Sequence, residues 1–138
     1  MKLVVDTNRV IASLVKDSFS RKIIFYGNLE LISIKISEKE IEKYKEEILN
    51  KSKLTKSQFD SIYEKINGNL IILDDLIIKD KMKEAKKIMD KVDPDDTPFI
   101  AAALATKSGI WSDDRHFEKQ NKVKIYKTKE LIDLLKTN

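Results

Sequence analysis

The hydrophobic and polar positions of this sequence follow two different periods, one typical of strands and one typical of helices. Residues 2–5 and 70–73 are short, mainly apolar runs, and residues 30–36 alternate apolar with polar side chains. These patterns predict strands, the first of them buried. Two further short strands are predicted at residues 110–112 and 123–126.

Between these strands, apolar residues recur every three or four positions, as they do on one face of a helix. The spacing predicts helices at residues 8–16, 21–26, 37–50, 55–67, 82–89, 99–106 and 130–135. Strands that alternate with helices indicate an α/β fold with a mostly parallel sheet, and right-handed crossovers would place helices on both of its faces. The sequence has neither an evident linker nor a repeat, so we expect a single domain over residues 1–138.

The composition is that of an ordinary folded domain. Of the 138 residues, 41% are hydrophobic, only 3 are Gly and 2 are Pro, and none is Cys, which excludes disulfides and thiolate metal sites. No apolar run approaches the roughly 20 residues that span a bilayer, and no signal peptide is recognisable, so we expect a soluble cytoplasmic protein with no membrane partner. The net charge of +4 fits a nucleic-acid partner, although Lys-rich surfaces also serve solubility.

Several carboxylates follow the predicted strands, where parallel α/β sheets form their binding sites. Asp6 ends the first strand, Glu40 lies in the first turn of the helix after the second, and Asp96 precedes the apolar helix at 99–106. Asp113 and Asp114 follow the strand at 110–112. Carboxylates held together repel one another unless a cation or protons offset their charge, and oxygen ligands of this kind favour Mg²⁺ or Mn²⁺. Such ions support phosphoryl displacement, but the spacing alone does not decide it.

Each of these acids also has a purely structural interpretation. Asp6 could cap the helix that follows it. Ser37 and Glu40 form a capping-box pattern, with Ser37 at the N-cap. Asp96, before a Thr-Pro pair, is equally suited to an N-cap.

The remaining polar residues near these acids are open to similar alternatives. The pair Asp113-Asp114 could be an exposed turn. Asp93 and Asp95 crowd the turn before Asp96 and could assist a metal through water. His116 is the only histidine, and a single His beside a Phe is more often a surface or packing residue than a catalytic one.

Five segments together resemble the PIN-domain family of VapC-like ribonucleases. They are VVDTN at 4–8, EIEKYKEEIL at 40–49, DPDDTPFIAAALA at 93–105, IWSDDRHF at 110–117 and VKIYKTKELIDLL at 123–135. The resemblance implies a PIN-like (Rossmann-like) three-layer α/β/α sandwich with a mostly parallel central sheet. It also implies a hydrolase, a Mg²⁺- or Mn²⁺-dependent endoribonuclease that cuts single-stranded RNA.

The resemblance further implies two sets of site residues. The catalytic and metal-binding set is Asp6, Glu40, Asp96 and Asp114. The supporting set is Asn8, Ser112, Asp113 and Asp93. Glu42 competes with Glu40 for the second position, but Ile41, Tyr44 and Ile48 mark the buried face of their helix and Glu40 flanks that face nearest the helix start, so we prefer Glu40.

Cationic residues close in sequence to these acids are candidates for binding the RNA backbone, namely Arg9, Lys39, Lys43 and Arg115. Relatives of this type are often toxins blocked by a cognate antitoxin, others process RNA, and homodimers are common among them. The resemblance therefore implies a possible antitoxin partner and a homodimer.

Two functions of other classes remain open at this point. A haloacid-type phosphatase also begins with a strand that ends in Asp, but it needs a second Asp where this chain has Asn8, and the acidic pair of a receiver domain is missing after the first strand. A catalytically silent RNA- or protein-binding module on the same fold would keep the shape without turnover.

Overall fold

A five-stranded parallel sheet forms the centre of the fold in the computed structural model, which describes residues 1–136. Its strands are β1 (Lys2–Val5), β2 (Glu30–Ile34), β3 (Leu70–Leu73), β4 (Gly109–Trp111) and β5 (Ile125–Tyr126). They lie in the order β3-β2-β1-β4-β5, and all neighbours are parallel. Because β1 lies between β2 and β4, the carboxyl ends of these three strands meet at one edge.

Helices cover both faces of the sheet. They are α1 (Thr7–Val15), α2 (Phe19–Tyr26), α3 (Lys35–Lys43), α4 (Lys45–Ser52), α5 (Lys56–Asn67), α6 (Asp75–Lys79), α7 (Met82–Met89), α8 (Thr97–Thr106) and α9 (Thr128–Lys136). Val4 faces a core built with α6, α7 and α8, whereas Leu3 and Val5 face a second core built with the other helices. This alternation follows from the two-residue period of a strand, and it confirms the predicted α/β/α sandwich.

Helix α8 brings its N-terminus to the edge where the strands end. Residues 99–103 are all buried, which means that this part of the helix is enclosed on every side. Its side chains are accordingly apolar on every side. Its alanines carry little volume, which lets the helix pack closely against the sheet. The turn before it, a short 3-10 helix at Pro94–Asp96, packs against α7 and α8.

The prediction of a capping box at Ser37 was wrong. Strand β2 ends at Ile34 rather than at residue 36, and α3 begins at once, with Ile34 as its N-cap and without a side-chain cap. Ser37 is therefore buried inside the first turn, where its hydroxyl lies 2.7 Å from the Thr7 hydroxyl. The other predicted capping box, between Thr55 and Gln58, is confirmed.

The single helix predicted at 37–50 is in fact two helices. The chain leaves helical geometry at Tyr44, with φ −99° and ψ 11°, so α3 and α4 meet there at a break. Tyr44, expected on the buried face, is 41% exposed, whereas Ile41 and Ile48 are buried as expected. The sequence also did not predict α6 or the short 3-10 helix at Arg115–Lys119.

No helix within residues 1–136 is both long enough and apolar enough to cross a membrane.

Candidate active site

A cavity of about 400 Å³ opens at the carboxyl ends of β1 and β4. Its lining includes the four acids of the predicted catalytic set and the predicted supporting residue Asn8, together with Lys43, Tyr44, Asp95 and Phe99. The four acids come from four different parts of the chain, since Asp6 follows β1, Glu40 lies in α3, Asp96 precedes α8 and Asp114 follows β4.

Ser112 connects the two acids that follow neighbouring strands. Its buried hydroxyl donates to Asp6 Oδ2 at 2.7 Å and accepts from the backbone N–H of Asp114 at 3.0 Å. Asp6 is itself buried, and this burial raises the pKa of its carboxyl, with the charge of Asp114 raising it further and the Ser112 hydrogen bond partly opposing the rise. The Ser112 hydroxyl therefore orients the Asp6 carboxylate, which still lines the cavity.

Glu40 is oriented in a similar way by Thr7. The Thr7 hydroxyl donates to Glu40 Oε1 at 3.3 Å while it also contacts the Ser37 hydroxyl. Burial raises the pKa of Glu40, and the nearby charge of Asp6 adds to the rise. Glu42, the competing acid, is exposed and lies outside the residues that line the cavity.

Asp96 does not cap its helix. It occupies the N-cap position of α8, but its side chain makes no capping hydrogen bond. Among the described residues its Oδ2 is buried without a hydrogen-bond partner. Burial, and then the charges of Asp93, Asp114 and Asp6, raise the pKa of Asp96 to about 7. A buried carboxylate oxygen without a donor, surrounded by other acids, is a position suited to a cation.

These acids fit a hard divalent cation, because every one of them offers carboxylate oxygens and their mutual repulsion needs an opposite charge. The family model described as "PIN domain" matches residues 4–135 of this chain. The chain belongs to the PIN domain family. No curated protein gives a significant match.

Among solved structures, this PIN domain is similar to a chain in the crystal structure of VapBC2 from Rickettsia felis bound to a DNA fragment from their promoter. The two share 15% sequence identity, the match covers 92% of this chain and 98% of that chain, and the TM-score is 0.68. At this identity the likeness establishes the fold.

The first Asp after β4, Asp113, has a structural role in this PIN domain. Asp113 accepts hydrogen bonds at 2.8 Å from the backbone N–H and the hydroxyl of Thr128, the first residue of α9. It also pairs with Arg9 at 2.8 Å. Of the two adjacent acids, Asp114 alone lines the cavity.

The predicted RNA-binding cations are placed differently from one another. Lys43 lines the cavity of the PIN domain, whereas Arg9 is held by Asp113. Lys39 and Arg115 are exposed and lie outside the residues that line the cavity.

His116 lies closer to the acids than its sequence context suggested. Its Nδ1 atom is 3.2 Å from Asp93 Oδ2, 3.6 Å from Asp114 Oδ1 and 3.8 Å from Asp96 Oδ2. The residue is brought there because Asp114 caps the short 3-10 helix, accepting from the His116 backbone N–H at 2.9 Å. An Asp two residues before a His is a capping signal that could have indicated this turn.

Proposed function

We propose that this PIN domain is an endoribonuclease that hydrolyses phosphodiester bonds of single-stranded RNA with Mg²⁺ or Mn²⁺. The observation that carries the proposal is the convergence of Asp6, Glu40, Asp96 and Asp114 on one cavity at the strand ends. Burial raises the pKa of three of them, as expected where a fold holds acids together for a cation.

In the proposed mechanism the four acids would hold the ion, and the other side chains would keep them in place. A bound Mg²⁺ or Mn²⁺ supplies a Lewis acid that polarises the phosphoryl group and lowers the pKa of water. Ser112 fixes the Asp6 carboxylate through its 2.7 Å hydrogen bond, and Thr7 fixes Glu40. The Oδ2 atom of Asp96, which has no hydrogen-bond partner among the described residues, would be its ligand atom.

A groove beside the cavity supports an extended single strand as the substrate. A second cavity of about 400 Å³ shares Asn8, Glu40 and Tyr44 with the first and continues along α1 and α4 towards Lys51. The half-exposed ring of Tyr44 lies where the two cavities meet and offers a face for a base to stack on, while Lys43 offers a charge for a phosphate. Lys51, at the far end of the groove, is paired with Glu47 at 3.1 Å.

We propose two protein partners as well. The likeness to the VapBC2 structure and the resemblance to VapC-like toxins support a cognate antitoxin, which would occupy the cavity. The edge of the sheet at β3 supports a homodimer, because it exposes the apolar side chains of Ile71, Ile72, Leu76 and Ile77. A cytoplasmic location follows from this proposal, because its substrate and antitoxin would be found there.

The test is cleavage of a mixed-sequence single-stranded RNA with Mn²⁺, with Mg²⁺ and with EDTA. We expect cutting that needs the metal, and a loss of at least about 100-fold for Asp6→Asn and Glu40→Gln, because each variant replaces an anionic ligand with a neutral amide. Glu42→Gln is the matched control, since this exposed acid lies in the same helix two residues away.

The variants also separate the alternatives. If Glu42→Gln loses activity and Glu40→Gln keeps it, the ligand has been assigned to the wrong residue. If the folded wild type binds Mn²⁺ but cuts no RNA, the binding module on the same fold becomes the better explanation.

A further inference from the structure

His116 brings a nitrogen donor to the edge of the acidic cluster. Its Nδ1 atom lies between 3.2 and 3.8 Å from one oxygen each of Asp93, Asp114 and Asp96. The side chain is 46% exposed, so it lies at the solvent-facing edge of the cluster. Nothing in the resemblance to the PIN-domain family assigned a role to this residue.

The separations between these donor atoms suit ligands of one ion. For metal–ligand bonds of about 2.1 Å, neighbouring ligands of an octahedron are about 3.0 Å apart and opposite ligands about 4.2 Å apart. One atom each of Asp93, Asp96 and His116 lie within 4.8 Å of one another, and the three distances from His116 fall between the two octahedral values.

The nitrogen belongs to the site already described and does not form a separate one. Asp96 and Asp114 line the cavity together with Asp6 and Glu40, and the same two residues face His116. Asp96 Oδ2, the oxygen that lacks a hydrogen-bond partner, lies 3.8 Å from the His116 nitrogen. An ion bound to that oxygen would therefore have the imidazole within reach.

We propose that His116 Nδ1 is a ligand of the divalent ion and makes this site prefer Mn²⁺ to Mg²⁺. The inference rests on the proposed metal site of the nuclease. Mg²⁺ favours oxygen ligands and gives up its water reluctantly, whereas imidazole suits transition-metal ions. A site of four acids alone would lack this discrimination.

The competing explanation is that His116 only forms a hydrogen bond with the acids and does not bind the metal. The two explanations predict different results for the removal of the side chain. If His116 is a ligand, its removal weakens Mn²⁺ binding. If it is only a hydrogen-bond partner of the acids, its removal frees their oxygens, and Mn²⁺ binding is unchanged or tighter.

The experiment measures the affinity of wild type, His116→Ala and Arg115→Ala for Mn²⁺ and Mg²⁺ at pH 8. Free Mn²⁺ is quantified by electron paramagnetic resonance, and Mg²⁺ by competition. We expect His116→Ala to bind Mn²⁺ about 10-fold more weakly or worse, with a change of less than about 3-fold for Mg²⁺. Arg115→Ala is the matched control, because it removes a neighbouring exposed cation that is not among the residues lining the cavity.

A second readout tests the bond itself. Electron spin-echo modulation of bound Mn²⁺ should contain a ¹⁴N coupling in the wild type and in Arg115→Ala, and should lose it in His116→Ala. The absence of this coupling in the wild type, no Mn²⁺ binding by the wild type, or unchanged or tighter Mn²⁺ binding by His116→Ala would each overturn the proposal.

The outcome is separable from that of the nuclease. If the wild type cleaves RNA but shows no ¹⁴N coupling, His116 is not a ligand and the nuclease proposal still stands. If the wild type shows the ¹⁴N coupling but cleaves no RNA, His116 is a ligand and the nuclease proposal fails.

Discussion

At the residue scale, Asp96 differs from Asp6 and Glu40 in that one of its carboxylate oxygens is buried with no hydrogen-bond donor in the described part of the chain. Ser112 serves Asp6 and Thr7 serves Glu40, but Asp96 Oδ2 is buried without a partner among the described residues. In the absence of an ion its negative charge is therefore the most weakly compensated, which is consistent with a pKa of about 7.

This property predicts that stability depends on pH. Between about pH 4 and pH 7 folded Asp96 keeps a proton that the unfolded chain has released, so the free energy of unfolding falls as the pH rises through this range and stays low above it. In EDTA at pH 8, Asp96→Asn should therefore be more stable than the wild type by about 2 kcal/mol. This is about half of the value that 1.36 kcal/mol per pKa unit would give, because nearby water screens the site.

Urea unfolding at pH 4 and pH 8 checks this prediction. The difference between Asp96→Asn and the wild type should vanish near pH 4, and millimolar Mn²⁺ at pH 8 should reverse it, since the wild type with all four acids binds the metal more tightly than the variant. Asp17→Asn, at an exposed acid between α1 and α2, should follow the wild type throughout. A gain for Asp96→Asn that is equal at both pH values would contradict the assigned cause.

Some residues of the site could be predicted from the sequence and others could not. The acids could be predicted because strand ends are readable from apolar runs, and the structure brings Asp6, Glu40, Asp96 and Asp114 to one cavity. The position of His116 beside the acids could not be predicted, because it depends on how a five-residue 3-10 helix turns.

At the element scale, Asp113 joins three parts of the molecule. It follows β4, caps the first turn of α9 through Thr128, and pairs with Arg9 of α1. The adjacent Asp114 faces the cavity. Two consecutive residues in an extended segment point to opposite sides, so one serves the scaffold and the other the site.

Asp113→Ala should therefore lower stability without removing a metal ligand. The loss of a helix cap and of an ion pair should reduce the free energy of unfolding by about 1–3 kcal/mol, while Mn²⁺ affinity changes by less than about 3-fold. Urea unfolding and Mn²⁺ titration measure the two effects. Asp114→Asn, which keeps the oxygen that caps the 3-10 helix, should give the opposite pattern, and Asp133→Ala, at an exposed position of α9, should change neither.

The helix break at Tyr44 escaped prediction for a reason that concerns periodicity. Ile41 and Ile48 are seven residues apart and both buried, and seven residues are close to two helical turns. The apolar pattern therefore stays in phase across the break. Helix α6 was not predicted, because its five residues are too few to show a helical period of apolar positions.

At the scale of the whole molecule, the free edge of the sheet is apolar. Within residues 1–136, strand β3 has a neighbouring strand on one side only, and it exposes Ile71 and Ile72, while α6 after it exposes Leu76 and Ile77. Leu76 is 73% exposed. Exposed apolar side chains grouped in this way mark an interaction surface, and an unpaired edge strand usually needs a cover.

We predict that this edge forms the homodimer interface. Light scattering should give a mass of about twice the 16.0 kDa of one chain. Leu76→Lys should lower it to that of one chain, because the substitution places a charge at the centre of the contact. Tyr26→Lys changes an exposed aromatic residue on α2 and should leave the dimer intact. A dimer that is broken by Tyr26→Lys alone would place the interface elsewhere.

The central position of β1 has a consequence for how the site forms during folding. Asp6 follows β1, but its neighbour β4, which carries Ser112 and Asp114 at its end, lies more than a hundred residues further along the chain. Pairing two strands that are so distant in sequence requires a long loop to close, and this slows their association. A partly folded chain therefore keeps these acids apart, and the acidic cluster exists only once β1 and β4 have paired.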